Sequence, residues 1–86
     1  MRDLEKILKA LANRRRLAIV KFLKKQGEKS VGDKAHQNDL SFKSTSKHLG
    51  VLSAVDIVDR EQRSLQMFYR IAKNQKPATK HIISLL

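Results

Sequence analysis

The spacing of apolar and polar residues predicts five helices and one β-hairpin. The first helix shows the i, i+3, i+4, i+7 pattern of one apolar face, formed by Leu4, Ile7, Leu8 and Leu11. Asp3 is predicted to cap its N-terminus. Asn13 is predicted to cap a second helix that runs to about Gln26 and ends at Gly27. Its wide apolar stripe favours a place at the centre of the core and comprises Leu17, Ile19, Val20, Phe22 and Leu23.

Polar capping signals predict two more helices before the hairpin. Residues 30–33 (SVGD) have the spacing of a capping box, which predicts a short third helix over about residues 31–38. Ser41 is predicted as the N-cap of a fourth helix over about residues 42–54. A polar turn between the third and fourth helices places them as a helix-turn-helix pair.

The period of the pattern changes after Asp56. Residues 57–61 and 65–71 are rich in β-branched, aromatic and long apolar side chains, which predicts two strands joined by a turn at residues 62–64. Pro77 is predicted at the first position of a last helix. One side of that helix carries Ala78, Ile82, Leu85 and Leu86. Because so short a helix is not stable alone in water, it must dock on another surface.

This order of elements is the layout of a winged helix-turn-helix. The predicted fold class is mainly α with a small β-hairpin: four helices, a two-stranded wing and a C-terminal helix. The 86 residues are predicted to form one domain over positions 1–86. A domain of this size buries little of its surface, so oligomerisation is the expected source of further stability because the chain has no cysteine for disulfides.

The charge balance selects a class of partner. The net charge is +11, from 19 Lys and Arg against 8 Asp and Glu. Such a surplus favours a polyanion, with nucleic acid ahead of an anionic membrane surface and an acidic protein. No apolar run is long enough to span a bilayer, and the charged N-terminal residues do not match a signal peptide, so we expect a cytoplasmic protein without membrane contact.

Enzymatic and metal chemistry have no candidate residues in this sequence. There is no nucleophile with a partner base, no pair of carboxylates on a common face and no Gly-rich phosphate loop. No two of His36, His48 and His81 have the sequence spacing of a metal-ligand motif. The expectation is therefore a protein that is not an enzyme and needs no cofactor and no metal.

Three segments resemble the ArsR-type winged helix-turn-helix transcriptional repressors. They are residues 10–19 (ALANRRRLAI), residues 40–52 with Leu-Ser and Ser-Lys-His-Leu, and residues 68–71 (FYRI). Asp56 stands where the family usually has Gly, the wing tip lacks the usual Gly, and Lys34 and Asn38 replace buried leucines of the third helix. The cysteines and the His and carboxylate clusters of metal-sensing members are absent, which disfavours a metal-responsive repressor.

A helical wheel of the fourth helix separates its two faces. Thr45, Leu49 and Leu52 are predicted to face the core with His48 at the margin, and the outward side is short, polar and cationic. Such a helix fits the DNA major groove, and a basic hairpin tip fits the backbone or the minor groove. The predicted DNA contacts are Ser41, Phe42, Lys43, Ser44, Ser46, Lys47, His48, Arg60, Gln62, Arg63 and Ser64. Arg14 and Arg15 are candidates for phosphate contact, and Arg16 for a structural role.

The resemblance implies a homodimer formed by the two terminal helices, at residues 1–12 and 77–86. The predicted interface residues are Leu4, Ile7, Leu8, Leu11, Ile82, Leu85 and Leu86. The alternative is that the last helix covers only the core of its own chain.

The sequence thus predicts a sequence-specific regulator of transcription that binds double-stranded DNA, a repressor by resemblance. One alternative is an architectural or protein-docking winged helix without sequence specificity. Another uses residues 13–26 as a membrane-surface helix, although their wide apolar stripe is better used as core.

Overall fold

A computed structural model describes the backbone of residues 1–30 and 39–86, and the side chains of residues 1–30 and 45–86. In these ranges the elements follow in the order α1 (Arg2–Leu11), α2 (Arg14–Gln26), β1 (Lys29–Ser30), α3 (Asp39–Ala54), β2 (Val58–Arg63), β3 (Gln66–Ile71) and α4 (Pro77–Ser84). The predicted class, mainly α with a β wing, is confirmed. The third predicted helix, with Lys34 and Asn38, lies outside the described residues.

The cap of α2 is the one that the sequence predicts, whereas the cap of α1 differs. Asn13 has an extended backbone, and its side-chain oxygen accepts hydrogen bonds from the amides of Arg15 and Arg16, each at 3.0 Å. In α1 the N-cap position belongs to Met1, which makes no side-chain cap bond. The prediction for Asp3 is wrong, since it lies inside the first turn, where its charge interacts favourably with the helix dipole.

The helix α3, which is the predicted fourth helix, begins earlier than its sequence signal indicates and ends in a well-defined motif. Its first residue is Asp39, so the predicted N-cap Ser41 lies inside the first turn, and that prediction is wrong. At the other end, the amide of Asp56 donates to the carbonyl of Ser53 at 3.1 Å, and that of Ile57 donates to Leu52 at 3.0 Å. These are the two bonds of a Schellman motif.

Asp56 supplies the left-handed residue that this motif requires. Its φ is +59°, a conformation that Asp tolerates better than most side chains. The motif also joins Ile57 to Leu52 through an apolar contact, and both side chains are fully buried. The departure from the family's Gly at this position is thus accommodated, and the turn directs the chain from α3 into the wing.

The wing belongs to a three-stranded antiparallel sheet with strand order β1-β3-β2. The hairpin pairs Val58 with Ile71 at its base and Arg63 with Gln66 at its tip. The connecting turn is therefore Ser64–Leu65, two residues rather than the predicted three, and Ser64 has φ +57°. The strand β1 was not predicted, because two residues are too few to show alternation.

The core lies between the sheet and the helices α1, α2 and α3. Its fully buried side chains include Val20 of α2, Leu52 of α3 and Val58 of β2. The helix α2 is central as predicted, although Phe22 from its stripe is 40% exposed. The helix α4 docks on this core through Ile83, which is buried with the cluster. The DNA-reading candidate α3 is thus held by its apolar side against a rigid scaffold.

Candidate nucleic-acid interface

The two faces of α3 separate as the helical wheel predicts at its leucines, Lys47 and Gly50, but not at Thr45 and Ser46. Leu49 and Leu52 are buried, with 3% and 0% exposure, while Lys47 and Gly50 are exposed. Thr45 and Ser46 are half-buried. The predicted contacts Ser41, Phe42, Lys43 and Ser44 lie in the first turns of α3, and their side chains are outside the described set. In the described part, α3 presents Lys47 and Gly50 on the side opposite its buried leucines.

Gly50 makes the middle of this outward surface flat. A Cβ atom built there would meet nothing within 4 Å, so no internal packing requires the glycine. Its φ is also not in the left-handed range, because it lies inside α3. A glycine in a helix costs about 1 kcal/mol relative to Ala. What the glycine does provide is an open surface, where a molecule outside the protein can come close to the backbone of α3.

The register of the hairpin assigns the wing residues to two different faces. Successive side chains of a strand point to opposite faces. Arg60 is paired with buried Tyr69, and Gln62 with Met67, so both lie on the face that continues the core side of the sheet. Glu61 and Arg63 lie on the outer face of the hairpin. The basic residues of the wing therefore do not form a single cluster.

On the outer face, Arg63 is held by two carboxylates. Its Nη1 and Nη2 atoms donate to the two oxygens of Glu28, at 2.7 and 3.1 Å, and its Nε donates to Glu61 at 2.6 Å. Its guanidinium also lies over the ring of Phe68, 4.6 Å from the centroid. Arg70 completes the network with bonds to Glu28 at 3.0 Å and to Glu61 at 3.4 Å. This outer cluster (Glu28, Glu61, Arg63, Arg70) ties the wing to the chain that follows α2.

The charges in the outer cluster stabilise each other. The hydrogen bond from Arg63 is the largest cause that lowers the pKa of Glu28 and that of Glu61 below their usual value of 4.5. In turn, Glu61 and then Glu28 raise the pKa of Arg63. Because both carboxyl pKa values are depressed in the folded chain, the cluster contributes stability above the usual value and loses it as the pH falls through the lowered values.

These contacts change the part that the predicted wing residues can play. Arg63 is engaged within the protein by three charge-assisted contacts, so it is better described as a residue that holds the wing than as a free cation at its tip. Arg60 is exposed and forms no ion pair within the described ranges. Gln62 and Ser64 are exposed beside it, and the Gln62 amide donates weakly to the Ser64 carbonyl at 3.5 Å.

The arginine run that opens α2 has two exposed residues and one that is engaged in the fold. Arg14 and Arg15 are exposed. Arg16, predicted as a structural ion-pair or stem-packing residue, is structural, but its guanidinium bonds the carbonyls of Ala10 and Lys9 at the end of α1 rather than a carboxylate. It also lies 3.2 Å from the Nδ1 atom of His48. His48 was predicted among the DNA contacts, but its half-buried ring is bonded inside the fold.

The predicted dimer surface is only partly exposed. Leu4 and Leu8 on α1 are 39% and 48% exposed, and Leu85 after α4 is 71% exposed. Ile7 and Leu11 are buried in the core of the chain itself, which removes them from the predicted interface. Ile82 and Leu86 are half-buried and pack against that core. The Lys24 ammonium donates to the Ile83 carbonyl at 3.0 Å, so α4 is also anchored to its own α2.

Sequence reasoning missed the carboxylates and Arg70 of the outer cluster. Glu28 reaches the wing only because β1 pairs with β3, and Arg70 meets Glu61 only in the observed register. The one available signal was the presence of opposite charges at alternate positions of the hairpin. In the described parts of the chain, no three His, Cys, Asp or Glu residues are grouped as metal ligands would be, and no helix there is long and apolar enough to cross a bilayer.

The order of the helices and the antiparallel wing define a class, and relatives agree with it: the chain belongs to the winged-helix transcriptional regulators. It is 31% identical to HlyU from Vibrio cholerae, with a TM-score of 0.74, over 96% of this chain and 86% of that one. The transcriptional regulator HlyU from Vibrio vulnificus is 32% identical, with a TM-score of 0.68, over 95% and 81%.

A curated relative carries a more specific name. The chain is 39% identical over 69 residues to the biofilm growth-associated repressor of Agrobacterium fabrum. That match covers 80% of this chain and 58% of the repressor, so the chain spans little more than half of that protein. A possible transcriptional regulatory protein from Mycobacterium bovis is 29% identical, with a TM-score of 0.75, over 96% of this chain and 85% of the other. No protein-family model matches the chain.

Proposed function

We propose that this protein is an ArsR-type repressor that binds a specific double-stranded DNA site as a homodimer. The observation that carries the proposal is the outward face of α3, on which exposed Lys47 and Gly50 lie opposite the buried Leu49 and Leu52. A helix with one side fixed in the core and the other polar, cationic and flat fits the major groove. The names of the relatives, a repressor and transcriptional regulators, support the same reading.

In this mechanism, α3 reads bases while the other cations position the protein. The Lys47 ammonium can donate to guanine O6 and N7 at the base edges. Arg14 and Arg15, exposed at the start of α2, are placed on phosphates, which fix register without carrying sequence information. The net charge of +11 supplies the long-range attraction to the polyanion. Phe42, Lys43 and Ser44 remain proposed contacts from the first turns of α3.

The wing contributes backbone or minor-groove contacts through one of its faces. Arg60 and Gln62 continue the core side of the hairpin beyond the buried Tyr69. Since the outer cluster occupies Arg63 and Arg70, Arg60 is the wing cation that is available for a phosphate. The cluster acts on DNA binding by holding the hairpin in place.

Dimerisation is assigned to the exposed apolar side chains of the terminal helices. Leu4 and Leu8 lie on one side of α1, and Leu85 follows α4. Their burial in a two-fold interface would present two copies of α3 to successive major grooves. The expected site is then a near-palindrome with half-sites about 10 base pairs apart.

The experiment that tests this proposal is selection from random duplexes at near-physiological salt, followed by affinity measurement. We expect the selected duplex to bind about 10³-fold or more tightly than random duplex. A ratio near one would contradict sequence-specific regulation. It would indicate the architectural or docking module instead, since charge alone drives non-specific binding.

A pair of wing variants tests the division of its two faces. Arg60→Ala and Arg63→Ala remove the same charge, so each is the control for the other. We expect Arg60→Ala to reduce the slope of log affinity against log salt by about one unit, because it loses a phosphate contact. Arg63→Ala should leave the slope nearly unchanged while loosening the outer cluster. An equal change of slope in both variants would contradict this assignment.

Gly50→Ala tests whether α3 approaches DNA along its flat surface. The added methyl group enters open space in the free protein, so the free energy of unfolding should rise by up to about 1 kcal/mol. Affinity for the selected duplex should nevertheless fall, because the methyl group separates helix and groove. Ala18→Gly, the reverse change at an exposed position of α2, should lower stability and leave affinity unchanged. A Gly50→Ala variant that binds as tightly as the parent contradicts the close approach.

A further inference from the structure

Arg16 joins three helices through one side chain. It lies in the first turn of α2, and its Nε and Nη2 atoms donate to the carbonyls of Ala10 and Lys9, the latter at 3.3 Å. The carbonyls in the last turn of a helix have no partner inside that helix, so these bonds cap the C-terminus of α1. The remaining Nη1 atom is 3.2 Å from His48 Nδ1 on α3. The guanidinium therefore fixes α3 relative to the end of α1.

The chemistry of this contact defines the state of the histidine. A guanidinium has only donors, so Nδ1 of His48 must accept, and the ring is neutral with its proton on Nε2. Burial is the largest cause that lowers the pKa of His48 below 6.5, followed by the charges of Arg16, Arg15 and Lys47. We call the contact between Arg16 and His48 the joint. On α1, the charged side chain nearest to it in sequence is Lys9, which is paired with Glu5 at 2.9 Å.

We infer that Arg16 and His48 are positioning residues for DNA recognition, which couple the place of α1 to the orientation of α3. The inference rests on the proposed function and adds a route by which one surface influences another. His48 is the neighbour of exposed Lys47 and of buried Leu49, so the direction of its ring and that of the reading face are set together. The helix α1 carries exposed Leu4 and Leu8, so the second copy of the chain in the proposed dimer packs on α1 and acts on α3 through this joint.

Protonation of His48 breaks the joint. An imidazolium has no free lone pair for Arg16, and it places a second positive charge about 3.2 Å from the guanidinium. Because its pKa is lowered, the ring is neutral at pH 7.5 and gains its proton only as the pH falls below the usual value of 6.5. The added charge strengthens binding to any DNA, whereas loss of the joint weakens recognition of the specific site. The ratio of specific to random affinity should therefore fall on acidification.

Two substitutions at position 48 separate this coupling from a simple packing role. His48→Asn places a carbonyl oxygen near the position of Nδ1, so it keeps an acceptor for Arg16 but cannot be protonated. His48→Leu keeps the bulk and removes the acceptor. His81→Asn removes an exposed imidazole of α4 and serves as the control for general titration. Thermal unfolding of each variant at pH 7.5 checks that the fold is retained.

The measurement is the ratio of affinities for the selected and random duplexes between pH 7.5 and pH 5.0. We expect the ratio of the parent protein and of His81→Asn to fall about tenfold, the worth of one hydrogen bond to a charged group. His48→Asn should hold its ratio over the whole range, and His48→Leu should have the low ratio at every pH.

Three outcomes overturn the inference, and the last is distinguishable from the first two. If His48→Leu keeps the parent ratio at pH 7.5, or if the ratio of His48→Asn falls with pH as that of the parent does, the coupling is wrong and the proposed function stands. If the parent ratio is near one at pH 7.5, the proposed function fails, and the coupling with it.

Discussion

Lys47→Glu is expected to abolish most of the specific affinity for DNA. Loss of a good base contact costs about 1–3 kcal/mol, and a carboxylate facing the phosphates adds repulsion, so affinity for the selected duplex should fall about 100-fold or more. Affinity for random duplex should fall much less. Lys47 is exposed, so the unfolding temperature should change little.

Lys80→Glu is the matched control for this charge reversal. Lys80 is an exposed lysine of α4, on a different side of that helix from Leu85. The change in net charge is identical, so Lys80→Glu reports the general electrostatic effect alone. Fluorescence anisotropy, with both duplexes at the same salt, measures how much affinity each variant loses. Equal losses for the two variants would show that α3 does not read bases.

The second large effect is expected at the surface of α1, where Leu8→Glu should convert a dimer into a monomer. Full burial of a leucine side chain contributes about 1.5–3 kcal/mol, and a two-fold interface buries the exposed half of Leu8 twice, so the dissociation constant of the dimer should rise about 10- to 100-fold. DNA affinity should fall with it, because two half-sites are no longer bound together. Sedimentation equilibrium without DNA measures the first effect directly.

Leu65→Glu makes the same chemical change on a leucine that is 97% exposed at the wing tip. It should leave the mass in solution unchanged. Deletion of α4 is a poorer test, because Ile83 and Thr79 are buried in the chain and their loss would expose the core. A Leu8→Glu protein that keeps the parent mass would remove α1 from the interface, and a monomeric parent protein would remove both terminal helices.

Local signals in the sequence were sufficient for most of the helical frame. Asn13 and Gly27 mark the two ends of α2, because their side-chain and backbone chemistry acts within a few residues. The apolar period of α3 placed Leu49 and Leu52 inside for the same reason. The prediction from Ser41 was wrong, because α3 begins at Asp39, three residues before the predicted start at position 42.

The details of the wing depend on register and could not be predicted locally. Ser64 has a positive φ and forms part of a two-residue turn, although the turn has no Gly or Asn that would predict it from the sequence. That turn places Arg63 at the last paired position of β2, opposite Gln66, rather than in the turn itself. Its ion pair with Glu28 joins residues 35 positions apart and exists only once β1 has paired with β3.

The candidate interface shows the same division. Exposure of Lys47 follows from helical periodicity, so the reading face could be predicted. The bond between Arg16 and His48 spans 32 positions and requires the packing of α1, α2 and α3 together, so a wheel of α3 alone assigned His48 only to the margin. The structural role of Arg16 was predicted, but its partners were not.

The central claim is that the outward face of α3 enters the major groove of a specific site. The chain has no cysteine, so a single introduced thiol can carry a photoactivatable crosslinker at a known position. On the selected duplex, Lys47→Cys should crosslink to bases at two positions about one helical turn apart, and Lys80→Cys should give only background. Crosslinking from position 80 in place of position 47, or equal yields on selected and random duplexes, would contradict the account.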